Sequence, residues 1–196
     1  MSSTTLNERV ARTALAKQWA RIGLAHHHGI DLPLSALHSQ YSCGIGEFFD
    51  LIPLIDWCHK LKMDVIQLLP LNDSGDDPSP YFAISSCALN PLYLSLHKLP
   101  YIEASNPLLR KLEELRRLTL QSRIVYADVQ SHKLSWLREY FEKFGNTLLK
   151  SKNFQTHLTN HPWVERYALF KAIKASVSKN HWMKSRRSAK PSRRAT

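Results

Sequence analysis

The chain has 196 residues, 43% hydrophobic and 22% charged, enough apolar material for one substantial domain with its own core and too much for a disordered polypeptide. Its net charge of +11 is concentrated at one end, because residues 171–196 carry nine basic side chains and no acid; the basicity is a property of the tail, and no specific nucleic-acid partner is expected from it. Three cysteines (Cys43, Cys58 and Cys87) without Cys-x-x-Cys spacing argue against a disulfide framework and a structural zinc site, and no apolar run approaches the ~20 residues that span a bilayer.

Leu6, Val10, Ala14 and Ala20/Ile22 recur at roughly helical spacing and predict a leading helix within residues 1–25, with no apolar segment of the kind a secretory signal needs. A cytoplasmic location is expected. His26-His27-His28 follow. Consecutive imidazoles point in different directions in helix or strand, so the run predicts surface or packing histidines rather than a metal site. Ile30, Leu32 and Leu34 form a short apolar run closed by Pro33 and Ser35, a buried strand. Gly44-Ile45-Gly46 lacks the Lys-Ser/Thr of a P-loop and the third glycine of a dinucleotide fingerprint, so it predicts a tight turn rather than a phosphate cradle.

Residues 47–62 place Phe48, Leu51, Leu54/Ile55, Cys58 and Leu61 on one helical face, with Pro53 near the first turns. Val65–Leu69 then reads as a second buried strand, so strand, helix and strand make a right-handed βαβ unit with a parallel sheet. Residues 70–91 are rich in Asp, Ser, Gly, Asn and Pro and form a connection longer than a strand-to-helix turn requires, where a site is expected. Leu92–Leu96 gives a third apolar stretch and a third candidate strand.

Helices follow. Asn106-Pro107 supplies a cap for Leu108, Leu112 and Leu115; Val129, Trp136/Leu137, Tyr140/Phe141 and Phe144 share a side of a helix over 126–144; Trp163/Val164, Tyr167, Phe170 and Ile173 share another over 160–177. The organisation expected is a leading helix (1–25), a βαβ segment with the long loop (26–104), a helical subdomain (105–178) and a basic tail (179–196).

Five segments taken in order, Gly-Ile-Asp-Leu-Pro-Leu (29–34), Gly-Ile-Gly (44–46), Gln-Leu-Leu-Pro-Leu (67–71), Ser-Pro-Tyr (79–81) and Ser-Cys-Ala-Leu-Asn-Pro-Leu-Tyr-Leu-Ser-Leu (86–96), resemble the N-terminal part of the 4-alpha-glucanotransferases, the amylomaltase or disproportionating-enzyme family. Val125-Tyr-Ala-Asp-Val with Lys133-Leu-Ser-Trp-Leu-Arg-Glu, then Phe154, Trp163 and Tyr167-Ala-Leu-Phe-Lys-Ala-Ile, are similar to the same family. The likeness runs from about residue 27 to Trp182-Met183, where a basic, low-complexity sequence takes over; a truncated or frame-shifted reading is the expectation for that change.

The resemblance implies an α/β fold, the N-terminal part of a (β/α)8 barrel with an inserted helical subdomain. It implies transfer of a 1,4-α-glucan segment to the 4-hydroxyl of another glucan or of glucose through a covalent glycosyl-enzyme, with α-1,4-glucans and maltooligosaccharides as partners and no metal or organic cofactor. The residues alone leave Ser79-Pro80-Tyr81 open between a turn whose tyrosine covers a core edge and a sugar contact. The resemblance implies the second: Tyr81 offers an aromatic face to a glucose ring, and the Ser79 hydroxyl reaches sugar hydroxyls.

Ile66-Gln67 stands where the family commonly has Trp-Gln, and the loop from Asn72 to Pro78 has no tyrosine to match the accessory glucan-binding residue of some members. Retaining transfer needs two carboxyl groups about 5 Å apart. Glu47, Asp73, Asp76 and Asp77 are expected to be solvated turn residues or helix caps, and the resemblance maps the nucleophile and the acid/base onto none of them, so no catalytic residue is assigned. A glucan-binding remnant without activity and a basic interaction protein are the alternative readings, and the chain alone is expected to be inactive and to melt without cooperativity.

Overall fold

The computed structural model describes residues 3–23, 26–121 and 123–176; the basic tail expected at 179–196 lies outside them. Instead of one leading helix there are two, α1 (Ser3–Ala11) and α2 (Ala16–Ile22). The chain breaks between them where the Thr13 hydroxyl donates to the Val10 carbonyl at 2.8 Å, a side-chain-to-backbone bond that competes with helix continuation.

Strands β1 (Gly29–Leu32) and β2 (Val65–Leu68) pair in parallel, Gly29 opposite Val65 and Leu32 opposite Leu68, with helix α3 (Leu51–Lys60) between them in sequence. This is the βαβ unit the apolar runs predicted, but neither strand is buried as expected, their residues being half-buried or exposed, and β1 stops two residues early. Pro33 cannot donate to a ladder, and Leu34 starts a 3-10 turn, Leu34–Ala36, as a fully buried core residue. Gly46 packs directly on this turn: a Cβ there would sit 2.0 Å from the Leu34 carbonyl oxygen, so no side chain is tolerated.

The third candidate strand does not form. Asn90 accepts from the Leu92 amide at 3.0 Å and caps a 3-10 turn at Pro91–Tyr93, and a second turn follows at Leu96–Lys98. Leu92, Tyr93 and Leu96 are buried as expected, but as anchors of turns. Helices α4 (Asn106–Arg117), α5 (Tyr126–Leu149), α6 (Lys152–Asn160) and α7 (Trp163–Ser176) complete the described chain. The residue preceding α4 is Ser105, which leaves Asn106 and Pro107 in its first turn.

Two apolar cores result. One joins Leu108, Leu112 and Leu115 of α4 to Trp136 and Tyr140 of α5 and to Cys43, Leu96 and Ile102; the other holds Leu34, Ile45, Leu92, Tyr93 and Val129. Helix α5 touches both, so it ties the helical half to the turns around the βαβ unit.

Candidate functional site

The loop following β2 is closed at its base like a drawstring. Asn72 and Leu89 form an antiparallel bridge, the Asp73 amide donates to the Ala88 carbonyl at 2.8 Å, and the Asn90 amide donates to the Leu71 carbonyl at 2.9 Å. Asn90 is buried and also reaches the Tyr126 hydroxyl of α5 at 3.3 Å. The segment between is thus a fixed protrusion rather than a free loop.

Ser79 and Tyr81 sit on this protrusion in different settings. The Ser79 amide donates to Asp77 Oδ1 at 2.8 Å, its hydroxyl accepts from the Tyr81 amide at 3.4 Å and its carbonyl accepts from the Phe82 amide at 3.3 Å, so Ser79 shapes the turn. Tyr81 is 69% exposed and Phe82 beside it 68% exposed. Both line an open groove of about 580 Å³ whose walls also include Ser74, Asp76, Asp77, Ile84 and, from α7, Lys174. Of the two residues that the motif singled out, Tyr81 lines this groove and Ser79 does not, while Phe82 and Lys174 are brought to it by the fold.

The acids behave differently from the expectation of solvated turn residues. Asp73 is only 2% exposed, and its Oδ2 accepts from the Tyr167 hydroxyl at 2.6 Å and from Lys171 Nζ at 2.8 Å, while Oδ1 accepts from the Gly75 amide at 2.8 Å. Burial would raise its pKa, but these donors outweigh burial and hold the carboxyl below its ordinary value. Burial, and then the same bond, push the Tyr167 hydroxyl upward.

Glu47 is fully buried with Lys133, whose ammonium donates to Glu47 Oε1 at 2.5 Å and to the Leu92 and Leu94 carbonyls at 2.6 and 3.2 Å. Burial raises the Glu47 pKa against the pull of Lys133. Asp50 accepts from the hydroxyls of Ser39 and Ser42 at 2.6 and 2.8 Å and from the Glu47 amide at 2.7 Å. These three acids are committed to structure. Asp77 does hold a turn, and it and Asp76 face the groove.

The periodicity carried a signal for Lys133 that the apolar pattern left unused, since it lies four residues after Val129 and three before Trp136, on the buried stripe of α5. His27, from the histidine run, pairs with Asp64 instead of gathering ligands. Among the described residues no group of three or more His, Cys, Asp or Glu side chains could hold a metal ion, and no helix is long and apolar enough to cross a membrane.

The chain is similar to several known proteins. The 4-alpha-glucanotransferase of Chlamydia pneumoniae is 46% identical over 175 residues, which are 87% of this chain and 33% of that protein, and that of Chlamydia caviae is 42% identical over 187 residues, 90% and 34%. The crystal structure of amylomaltase from Corynebacterium glutamicum superposes with a TM-score of 0.55 at 26% identity, covering 67% of this chain and 20% of that one. The chain spans about a third of the length of the curated relatives it matches. The sequence profile of the family described as 4-alpha-glucanotransferase matches residues 32–196, past Trp182-Met183 where the motifs end, and the chain belongs to that family.

Proposed function

We propose that this chain supplies the opening part of the barrel and the glucan-holding loop of a 4-alpha-glucanotransferase, working in the cytoplasm without metal or organic cofactor. In the complete reaction a carboxylate attacks the anomeric carbon of a 1,4-α-glucan, the glycosidic oxygen leaves with a proton from a second carboxyl group, and the 4-hydroxyl of an acceptor glucan or glucose then displaces the carboxylate and returns the proton. The role of this segment is to hold sugar. The observation that carries the reading is Tyr81, an aromatic ring more than two-thirds exposed in a groove on a loop whose base is closed by backbone hydrogen bonds.

An exposed aromatic plane on a fixed support suits a glucose ring, whose axial C–H bonds make an apolar face while its hydroxyls stay free for polar contacts. Ser79 supports the plane by shaping its turn, and by the family resemblance its hydroxyl reaches a sugar hydroxyl. Because Glu47, Asp50 and Asp73 are already engaged inside the protein, the reading assigns the nucleophile and the acid/base to none of them.

In a full-length glucanotransferase carrying this segment, Tyr81→Ala lowers kcat/KM for maltotriose disproportionation by about 1 to 3 kcal/mol of transition-state stabilisation, the scale of burying an aromatic ring. Tyr81→Phe keeps most of the activity, since the ring plane does the work. Unaltered kinetics for Tyr81→Ala would remove the basis for the sugar-holding role.

A further inference from the structure

The donors to the acid at the foot of the loop and a lysine that lines the groove come from one pattern in α7. Tyr167, Lys171 and Lys174 lie at i, i+4 and i+7 and so share one face of that helix. The first two bind Asp73 Oδ2, at 2.6 and 2.8 Å. The third lines the groove with Tyr81 and Phe82. An ionised carboxylate that is only 2% exposed must be compensated by donors or its burial is costly, so the contact between Asp73 and α7 is specific in position as well as in charge.

We propose that α7 is the second wall of the glucan groove, in which Lys174 contacts sugar hydroxyls and the Asp73–Tyr167–Lys171 hydrogen bonds act as the latch that keeps this wall in register with the ring of Tyr81. The proposal rests on the glucan reading above and adds to it a residue from the helical half of the chain. Gly75 shapes the loop beside this lysine, its φ of +65° being one that a side chain would strain. Helix α5 braces the same point, Gln130 Nε2 donating to the Gly75 carbonyl at 2.7 Å.

The lining chemistry selects a neutral polyol over an anion. Lys174 alone would suit a phosphate, but Asp76 and Asp77, which line the same groove, repel one. A glucose unit suits this lining: its ring face lies on Tyr81 or Phe82, its hydroxyl oxygens accept from the ammonium, and its hydroxyls donate to the Asp77 carboxylate. A volume of about 580 Å³ falls within the range of small-ligand sites.

Calorimetric titration of the 196-residue chain with maltoheptaose tests this. Lys174→Met is expected to weaken binding about tenfold, the scale of one hydrogen bond to a charged group, with an unchanged melting temperature, and Lys174→Arg to retain most of the affinity. Lys171→Met weakens binding similarly, and the Lys171→Met/Lys174→Met double variant is no weaker than either single one, because the latch acts through the placement of Lys174. Wild-type affinity in Lys174→Met together with weakened binding in Tyr81→Ala overturns the second wall and leaves the glucan reading standing. Losses that multiply in the double variant overturn the latch. No binding of maltoheptaose by the wild-type chain overturns the glucan reading and this proposal with it.

Discussion

His27 and Asp64 clip the entries of the two strands together. The imidazole Nδ1 meets Asp64 Oδ2 at 2.5 Å, and Asp64 Oδ1 accepts from the His28 amide at 3.0 Å. The hydrogen bond to Asp64, then that to the Gly23 carbonyl, raise the His27 pKa above 6.5, and the same pairing followed by the His28 amide lowers Asp64 below 3.8. A histidine raised on folding stabilises fully below its unfolded value and loses that contribution as pH climbs through its folded value; an aspartate lowered on folding stabilises above its unfolded value and loses it as pH falls through its folded one. The difference in melting temperature between wild type and His27→Gln is therefore largest between pH 3.8 and 6.5 and shrinks on both sides. A difference that is flat from acid to alkaline pH would show that the clip is not formed. The thiols divide as sharply. Burial, reinforced by Glu47, pushes Cys43 up to about 12, Cys58 is buried, and Cys87 is exposed, so iodoacetamide at neutral pH labels Cys87 alone in the folded protein.

Among the elements, α5 carries the most consequence, because its buried face holds a charge at its centre. Lys133 has no exposed side-chain surface, and three acceptors surround its ammonium. Lys133→Met leaves Glu47 buried without its counter-charge, and denaturant unfolding should show a loss of about 3 to 5 kcal/mol; adding Glu47→Leu removes the stranded carboxylate and restores much of it. A single-variant loss below 1 kcal/mol would mean that water reaches the pair. The contrast in legibility follows the same physics. Helices α4 and α5 were readable because apolar spacing reports the face that packs, whereas α3, β1 and β2 form where their apolar runs lie but bury little: Ile55 and Leu61 of the expected α3 face are exposed and neither strand holds a buried residue. Leu92–Leu96 was equally apolar, yet Pro91 and the Asn90 cap convert it to turns, a local backbone effect that apolarity does not record. The motif singled out Tyr81 as a candidate, whereas the groove it lines with Lys174 was not readable, since the two lie some ninety residues apart and only folding brings them together.

Over the whole molecule burial is uneven, and this sets what the chain can do by itself. The fully buried side chains gather in α4, α5 and the turns between residues 34 and 48 and between 92 and 102. By contrast Ile52, Ile55 and Trp57 of α3, then Leu61 and Val65, remain 42% to 53% exposed, and the described sheet has two strands. A two-stranded sheet with one partly covered helix has little stability of its own. The α4–α5 pair, with Trp136 stacked on Tyr140 at 5.7 Å, has a packed interior that the two-stranded sheet lacks. Native-state hydrogen exchange should therefore find the amides of Leu112 and Trp136 protected to the global limit, and those of Ile30 and Ile66 opening at least about tenfold more readily. Maltotriose should remain unconverted by the same preparation, because Asp73 is held by Lys171 and Tyr167 and Glu47 by Lys133, which leaves no assigned nucleophile and acid pair at the groove. Uniform protection across both halves, or glucose released from maltotriose, would show that the βαβ unit is as firmly held as the helices and that the chemistry is already complete within these residues.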